Sequence, residues 1–86
     1  MNKVEIGRRA KEFVEDERFT QAVEVMRQGI YERWRVCSVA DHETQHELKI
    51  MDKVLNDFVR HFRNAIDEGK MEEATMLSKL RKIRKI

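Results

Sequence analysis

The chain has 86 residues, of which 40% are charged and 7% aromatic, with no proline, three glycines and one cysteine. This length allows one small domain, residues 1–86, and a single cysteine excludes an intrachain disulfide. No segment approaches the ~20 consecutive apolar residues that a membrane span requires, and the N-terminus lacks the apolar run of a signal peptide. The cytoplasm is therefore the expected location.

The first half of the chain predicts two helices, since proline and glycine, which punctuate turns, are scarce. The first covers about residues 3–15 and is weakened by Gly7. Asp16 is expected to cap the second, about residues 17–36, because its carboxylate can accept from the free amides of the first turn. Gly29 lies within this helix at a point where a partner backbone could approach closely. The apolar face of the second helix comprises Phe19, Ala22, Val23, Met26, Ile30 and Trp34.

The second half begins with a tight connection, residues 37–40, after which Asp41 is expected to cap a third helix over about residues 42–68. Gly69 is the expected left-handed C-cap of that helix. Because the connection is short, the two long helices should form an antiparallel hairpin, so the fold class is all-α. The continuous apolar stripe of the third helix places Phe58 and Phe62 in the hairpin core, with Phe62 facing the region of Phe19.

Residues 70–86 predict a basic amphipathic C-terminal helix, either docked on the hairpin or ordered only with a partner. This segment carries six basic and two acidic side chains, whereas residues 41–69 carry four basic and seven acidic. A cluster of cations interleaved with apolar residues suits a phosphate backbone, a membrane surface or a groove on a partner protein. The candidate nucleic-acid-binding residues are Lys79, Arg81, Lys82, Arg84 and Lys85.

The third helix opens with His42-Glu43-Thr44-Gln45-His46, which matches the H-E-x-x-H spacing of zinc peptidases. Such a site needs a third protein ligand, and Asp52 and His61 lie too far along the same helix to supply it. A polar first turn that complements the helix N-terminus is the preferred interpretation. His42 and His46 remain the only metal-ligand candidates, and no catalytic residue, metal or cofactor is predicted.

Several side chains are candidates for contact with another protein. Trp34 is expected to plug the end of the hairpin core, whereas Tyr31 lies off the main stripe and is a candidate anchor. Cys37 has no base to activate it and is expected to be a small buried residue near the turn. The interface candidates are Tyr31, Ile50, Val54, Val59, Leu77, Leu80 and Ile83.

The order of these signals is similar to that of small helical proteins encoded by tailed bacteriophages. The residues that carry the resemblance are Asp16-x-x-Phe19, the stretch from Trp34 to Ser38, Asp41 ahead of Glu47-Leu48, and Gly69-Lys70, so it covers about residues 8–72. The resemblance implies a phage accessory or structural protein, located in the host cytoplasm or the virion, and gives no catalytic residues.

Three functions follow as expectations. The leading one is a non-enzymatic, self-associating interaction or assembly protein, because the apolar stripe of the third helix is wide for so short a chain. The alternatives are a nucleic-acid-binding protein that uses the basic C-terminal segment and a phage-encoded inhibitor of a host protein.

Overall fold

The computed structural model describes residues 2–84, which form three helices joined by short connections. They are α1, Lys3–Glu15, α2, Glu17–Val36, and α3, His42–Arg84. The all-α class and the antiparallel arrangement of α2 and α3 are confirmed. One arm of the hairpin is α3, and the other consists of α1 followed by α2, since both pack on α3.

Side-chain caps fix where α1 and α2 begin. The Asn2 side chain accepts from the Glu5 amide at 2.8 Å, and the Asp16 carboxylate accepts from the Arg18 amide at 2.8 Å. The extended backbone of Asp16 also ends α1, because its own amide donates back to the Glu12 carbonyl at 3.1 Å. Asp16 is thus the single residue at which the first arm breaks, and its predicted capping role is confirmed.

The connection between α2 and α3 is held by hydrogen bonds from the start of α3. Asp41 accepts from the Thr44 amide at 3.1 Å and from the Thr44 hydroxyl at 2.7 Å, as expected of a helix cap. The Gln45 side-chain amide donates to the Ser38 and Val39 carbonyls at 3.1 and 3.2 Å. These bonds hold residues 37–41 in the tight turn that makes the hairpin antiparallel.

Helix α3 continues without interruption for 43 residues, a length of about 64 Å at 1.5 Å per residue. The prediction that Gly69 ends this helix is wrong, because the described chain contains no glycine with positive φ. Residues 70–84 are helical, but they extend α3 instead of forming a separate helix. Good helix formers dominate this stretch, so the helix propagates through the glycine.

Gly69 has a packing role where α1 crosses α3. A methyl group added to Gly7 would lie 2.9 Å from the Ala65 carbonyl oxygen and 3.0 Å from Gly69 Cα, and one added to Gly69 would lie 3.0 Å from the Lys3 carbonyl oxygen. The two backbones meet at a distance that only glycine permits. Gly7 therefore lowers the helix propensity of α1 but allows α1 to cross close to α3.

The core is narrow and follows the seam between the two arms. Its buried apolar side chains are Ala10, Leu48, Leu55 and Val59, and Leu48 is only 1% exposed. Four rings form a phenylalanine cluster where the three helices meet: Phe13, Phe19, Phe58 and Phe62. The predicted contact between Phe62 and Phe19 is confirmed, with ring centroids 5.5 Å apart.

The predicted burial of Phe58 is wrong, because half of its surface is exposed. Phe58 lies at the edge of the phenylalanine cluster, 6.2 Å from Phe19 and 5.2 Å from Phe62 between ring centroids. A single neighbouring helix covers only a narrow strip of the surface of α3. Because the apolar stripe of α3 is wider than that strip, one edge of the stripe, including Phe58, stays exposed to solvent.

The molecule is a rod of 70 × 24 × 18 Å with a radius of gyration of 19.6 Å. A compact domain of this length has a radius of gyration of about 12 Å. The hairpin thus exposes long flanks, and these carry its candidate functional surfaces.

Candidate interaction surface

Two contacts between α2 and α3 distinguish the two flanks of the hairpin. On one flank the Arg33 guanidinium lies 3.8 Å from the Met51 sulfur, and on the other Arg27 donates to the Asn56 side-chain oxygen at 2.8 Å. Residues at helical spacing from each contact share its flank. We call the flank of Arg33 and Met51 the open face and the flank of Arg27 and Asn56 the groove side.

The α3 half of the open face is apolar and exposed. Ile50, Val54 and Phe58 follow one another at intervals of four residues, and their exposed fractions are 49%, 62% and 50%. Met51 lies beside them at 41%. Glu47, also exposed, precedes Met51 by one turn and gives this row an acidic end near the hairpin turn.

The α2 half of the open face is a second exposed row at helical spacing. Ala22, Met26, Gly29 and Arg33 succeed one another at intervals of four, three and four residues, and all four are exposed. Met26 is 57% exposed, and apart from the adjacent residues and the local helix backbone no atom lies within 4 Å of the place where a Gly29 side chain would be. This row ends in a cation, Arg33, near the turn. Sequence reasoning assigned Ala22 and Met26 to the hairpin core and so missed their place on this surface.

The structure separates the predicted interface candidates into three groups. Ile50 and Val54 lie on the open face and Tyr31 on the groove side, all about half exposed or more. Val59 is only 7% exposed, so its assignment to an interface is wrong: it occupies the seam and packs within the chain. The remaining three are exposed near the end of α3: Leu77, Leu80 and Ile83.

The groove side carries a shallow hollow of about 400 Å³ between α2 and α3. Tyr31 and Trp34 line it with ring centroids 6.4 Å apart, facing Lys49 and Asp52 of α3. Trp34 is 57% exposed, so the prediction that it plugs the end of the core is wrong. Leu48 fills that position instead.

The end of α3 extends past α1. Glu73 still contacts α1, through an ion pair with Arg8 at 3.2 Å, and residues 71–83 are all exposed. We call residues 74–84 the distal segment. Lys79, Arg81 and Lys82 are exposed on it, and no acidic residue follows Glu73. Nothing is described of the Arg84 side chain, and Lys85, the fifth predicted cation, lies outside the described residues.

The candidates for chemistry are dispersed. His42 and His46 are both exposed in the first two turns of α3, and within residues 2–84 no group of three or more His, Cys, Asp or Glu side chains is placed to hold a metal ion. Cys37 is half-buried and its thiol donates to the Trp34 carbonyl at 3.1 Å.

The fold lowers the pKa of both capping carboxylates. A hydrogen bond from the Arg18 side chain, supported by the Arg18 amide, lowers the pKa of Asp16. The Thr44 hydroxyl and amide lower the pKa of Asp41 in the same way. Both carboxylates cap the start of a helix, and this structural role explains why their pKa values are lowered.

Comparison of the chain with protein-family models, with curated proteins and with solved structures finds no match. Within the described part of the chain, no helix is sufficiently long and apolar to cross a membrane. Any functional assignment therefore depends on the surfaces described above.

Proposed function

We propose that this chain is a non-enzymatic interaction protein that associates with itself through the open face, as an assembly component. The observation that carries the proposal is the exposed apolar row Ile50, Val54 and Phe58, flanked across the hairpin by Met26. Contiguous apolar surface of this kind on a small protein marks an interaction site.

The total exposed area supports the same proposal. The chain of 10.4 kDa exposes 7508 Å², whereas a compact monomer of that mass exposes about 5,400 Å². The excess of about 2,100 Å² is more than the ~800 Å² that each partner contributes to a standard interface. Burial of part of this surface would give the rod the core that two helices alone do not provide.

The test is the molar mass in solution, measured by sedimentation equilibrium from about 1 to 500 μM, where dimers with dissociation constants below about 500 μM are populated. The wild type should associate, and Val54→Glu, which places a charge in the middle of the open face, should shift the chain towards monomer. Val39→Glu is the matched control, because Val39 is 88% exposed in the turn and lies off both rows. A wild type that is monomeric throughout this range would contradict self-association.

A bacteriophage source, implied by the resemblance of residues 8–72, would make the chain an accessory or structural protein of a virion or its assembly. The inhibitor alternative uses the same open face with a host protein as partner, and the mass measurement separates the two, since an inhibitor can be monomeric.

The distal segment supports a second candidate function, binding to nucleic acid. Lys79, Arg81 and Lys82 are exposed on a helix that extends away from the hairpin. Three or more phosphate contacts make the logarithm of affinity fall steeply with the logarithm of salt concentration. Fluorescence anisotropy with a labelled duplex at several salt concentrations tests this: changing these three cations to glutamine should abolish binding, and equal binding by the variant would contradict it.

A further inference from the structure

The pattern of charge and bulk on the open face is self-complementary, and this fixes how a second copy can dock. Each α2 row reads small, large, small, cation, as Ala22, Met26, Gly29 and Arg33. On α3, an anion, Glu47, is followed at helical spacing by three apolar side chains, Met51, Val54 and Phe58, and these four residues are called the α3 row below. The two rows of one molecule lie side by side, so a second molecule can place its α3 row against the α2 row of the first, and its α2 row against the α3 row of the first.

We infer that the occupant of the open face is a second copy of this chain, related by a two-fold axis parallel to the long axis of the hairpin. The inference rests on the proposed self-association and adds its geometry. In this arrangement α2 of each copy packs on α3 of the other, and the two turns lie at the same end of an antiparallel four-helix bundle.

A two-fold axis along the rod keeps every residue at its own height, so the contacts within one hairpin indicate the contacts between copies. Arg33 lies beside Met51 and Arg27 beside Asn56 within the chain. Gly29 is therefore at the height of Val54, and Met26 is close to the height of Phe58. Across the interface, Val54 of each copy faces the open space at Gly29 of the other.

The charges at the turn end support the same pairing. Arg33 and Glu47 are exposed on the open face, and neither forms an ion pair within residues 2–84. The proposed axis places Arg33 of each copy near Glu47 of the other. The two residues differ in height along the rod by about one helical turn. The alternative axis, across the rod, places α2 on α2 and the turns at opposite ends, and leaves each Arg33 far from Glu47 of the other copy.

A mixing experiment distinguishes the two arrangements. In a dimer of Arg33→Glu, two glutamates face each other in each of the two contacts at the turn end. In a dimer of Glu47→Arg, two arginines face each other in each contact. An equimolar mixture of these two variants forms a heterodimer in which both contacts join unlike charges. Lys53→Glu is the control, since Lys53 lies on the row of Lys49 and Asn56, away from the open face.

The expected result is that each reversal alone raises the dissociation constant about ten-fold, as replacement of two attractive surface contacts by repulsive ones should. The mixture should return within about three-fold of the wild type, and native mass spectrometry should show the heterodimer in excess over both homodimers. Lys53→Glu should leave the constant unchanged, and circular dichroism should show full helicity for every variant.

Two other results have different meanings. A wild type that associates, together with a mixture as weak as its components, would overturn the proposed geometry and leave self-association standing. A monomeric wild type would overturn both.

Discussion

Gly7 and Gly69 face each other across the α1–α3 crossing, where a methyl group on either would lie 3.0 Å from the Cα of the other. Gly29, the third glycine, is also within a helix, but apart from the adjacent residues and the local helix backbone no atom lies within 4 Å of its missing side chain. The three positions therefore separate the effect of helix propensity from the effect of packing.

Gly7→Ala and Gly69→Ala should lower the free energy of unfolding, because the added methyl meets backbone atoms that cannot move independently. Overpacking of this kind costs about 1–3 kcal/mol, which exceeds the ~1 kcal/mol gained in helix propensity. Gly29→Ala has no such clash within the chain and should stabilise the isolated hairpin by about 0.5–1 kcal/mol. Urea denaturation in a Val54→Glu background, which should keep the chain monomeric, measures all three, and equal effects at the three positions would contradict the crossing.

The narrow core predicts that Leu48 matters more to stability than Phe58. Leu48 is 1% exposed, so Leu48→Ala should cost about 2–5 kcal/mol through lost burial and a cavity. Phe58→Ala removes a ring that is half exposed and should cost the monomer less than Leu48→Ala, although it should weaken self-association. Thermal melts at low protein concentration compare the two, and His46→Ala, an exposed substitution, should change stability by less than about 1 kcal/mol.

The Asp41 cap should account for part of the loss of folding stability at low pH. Its pKa is lower in the folded chain than the ordinary value of about 3.9, so its contribution is present above that value and lost as the pH falls through the folded pKa. Asp41→Asn keeps a capping oxygen but does not titrate. Between pH 6 and pH 3 the variant should lose less stability than the wild type, measured as the difference between their urea midpoints. Equal losses would mean that the cap does not respond to pH.

Deletion of the distal segment should leave the hairpin folded. Residues 74–84 are exposed from Ala74 to Ile83, and the Arg8–Glu73 ion pair is retained when the chain stops at residue 73. The urea midpoint should be unchanged, and any affinity for nucleic acid should disappear. A large loss of stability would show that this end of α3 contributes to the fold.

Elements of the fold that depend on local chemistry were predictable from the sequence. Asp16 and Asp41 were identified as caps because a carboxylate before an apolar-periodic run can satisfy free amides. The antiparallel hairpin followed from the short connection. The fate of Gly69 was not predictable in this way, because a C-cap and a close helix crossing use the same residue, and only the position of Gly7 in space decides between them.

The surface was harder to predict for a related reason. Helical spacing identifies an apolar stripe, but not how much of its width a neighbouring helix covers. Val59 and Val54 both belong to the wide stripe of α3, yet one is buried in the seam and the other is 62% exposed. Trp34 and Met26 were assigned to the core for the same reason, and both face solvent.

The uninterrupted length of α3 has a consequence for binding strength. The continuous helix places the distal segment about 37 Å from Val54, at 1.5 Å per residue. The proposed dimer, with both turns together, would carry two such segments at one end. An anionic polymer that binds one of them is then held at a high effective concentration beside the other. Two individually weak cationic contacts would then act as one stronger bivalent site, with a spacing set by the bundle. The affinity of this site would depend on dimerisation at the open face, about 37 Å away along the helix.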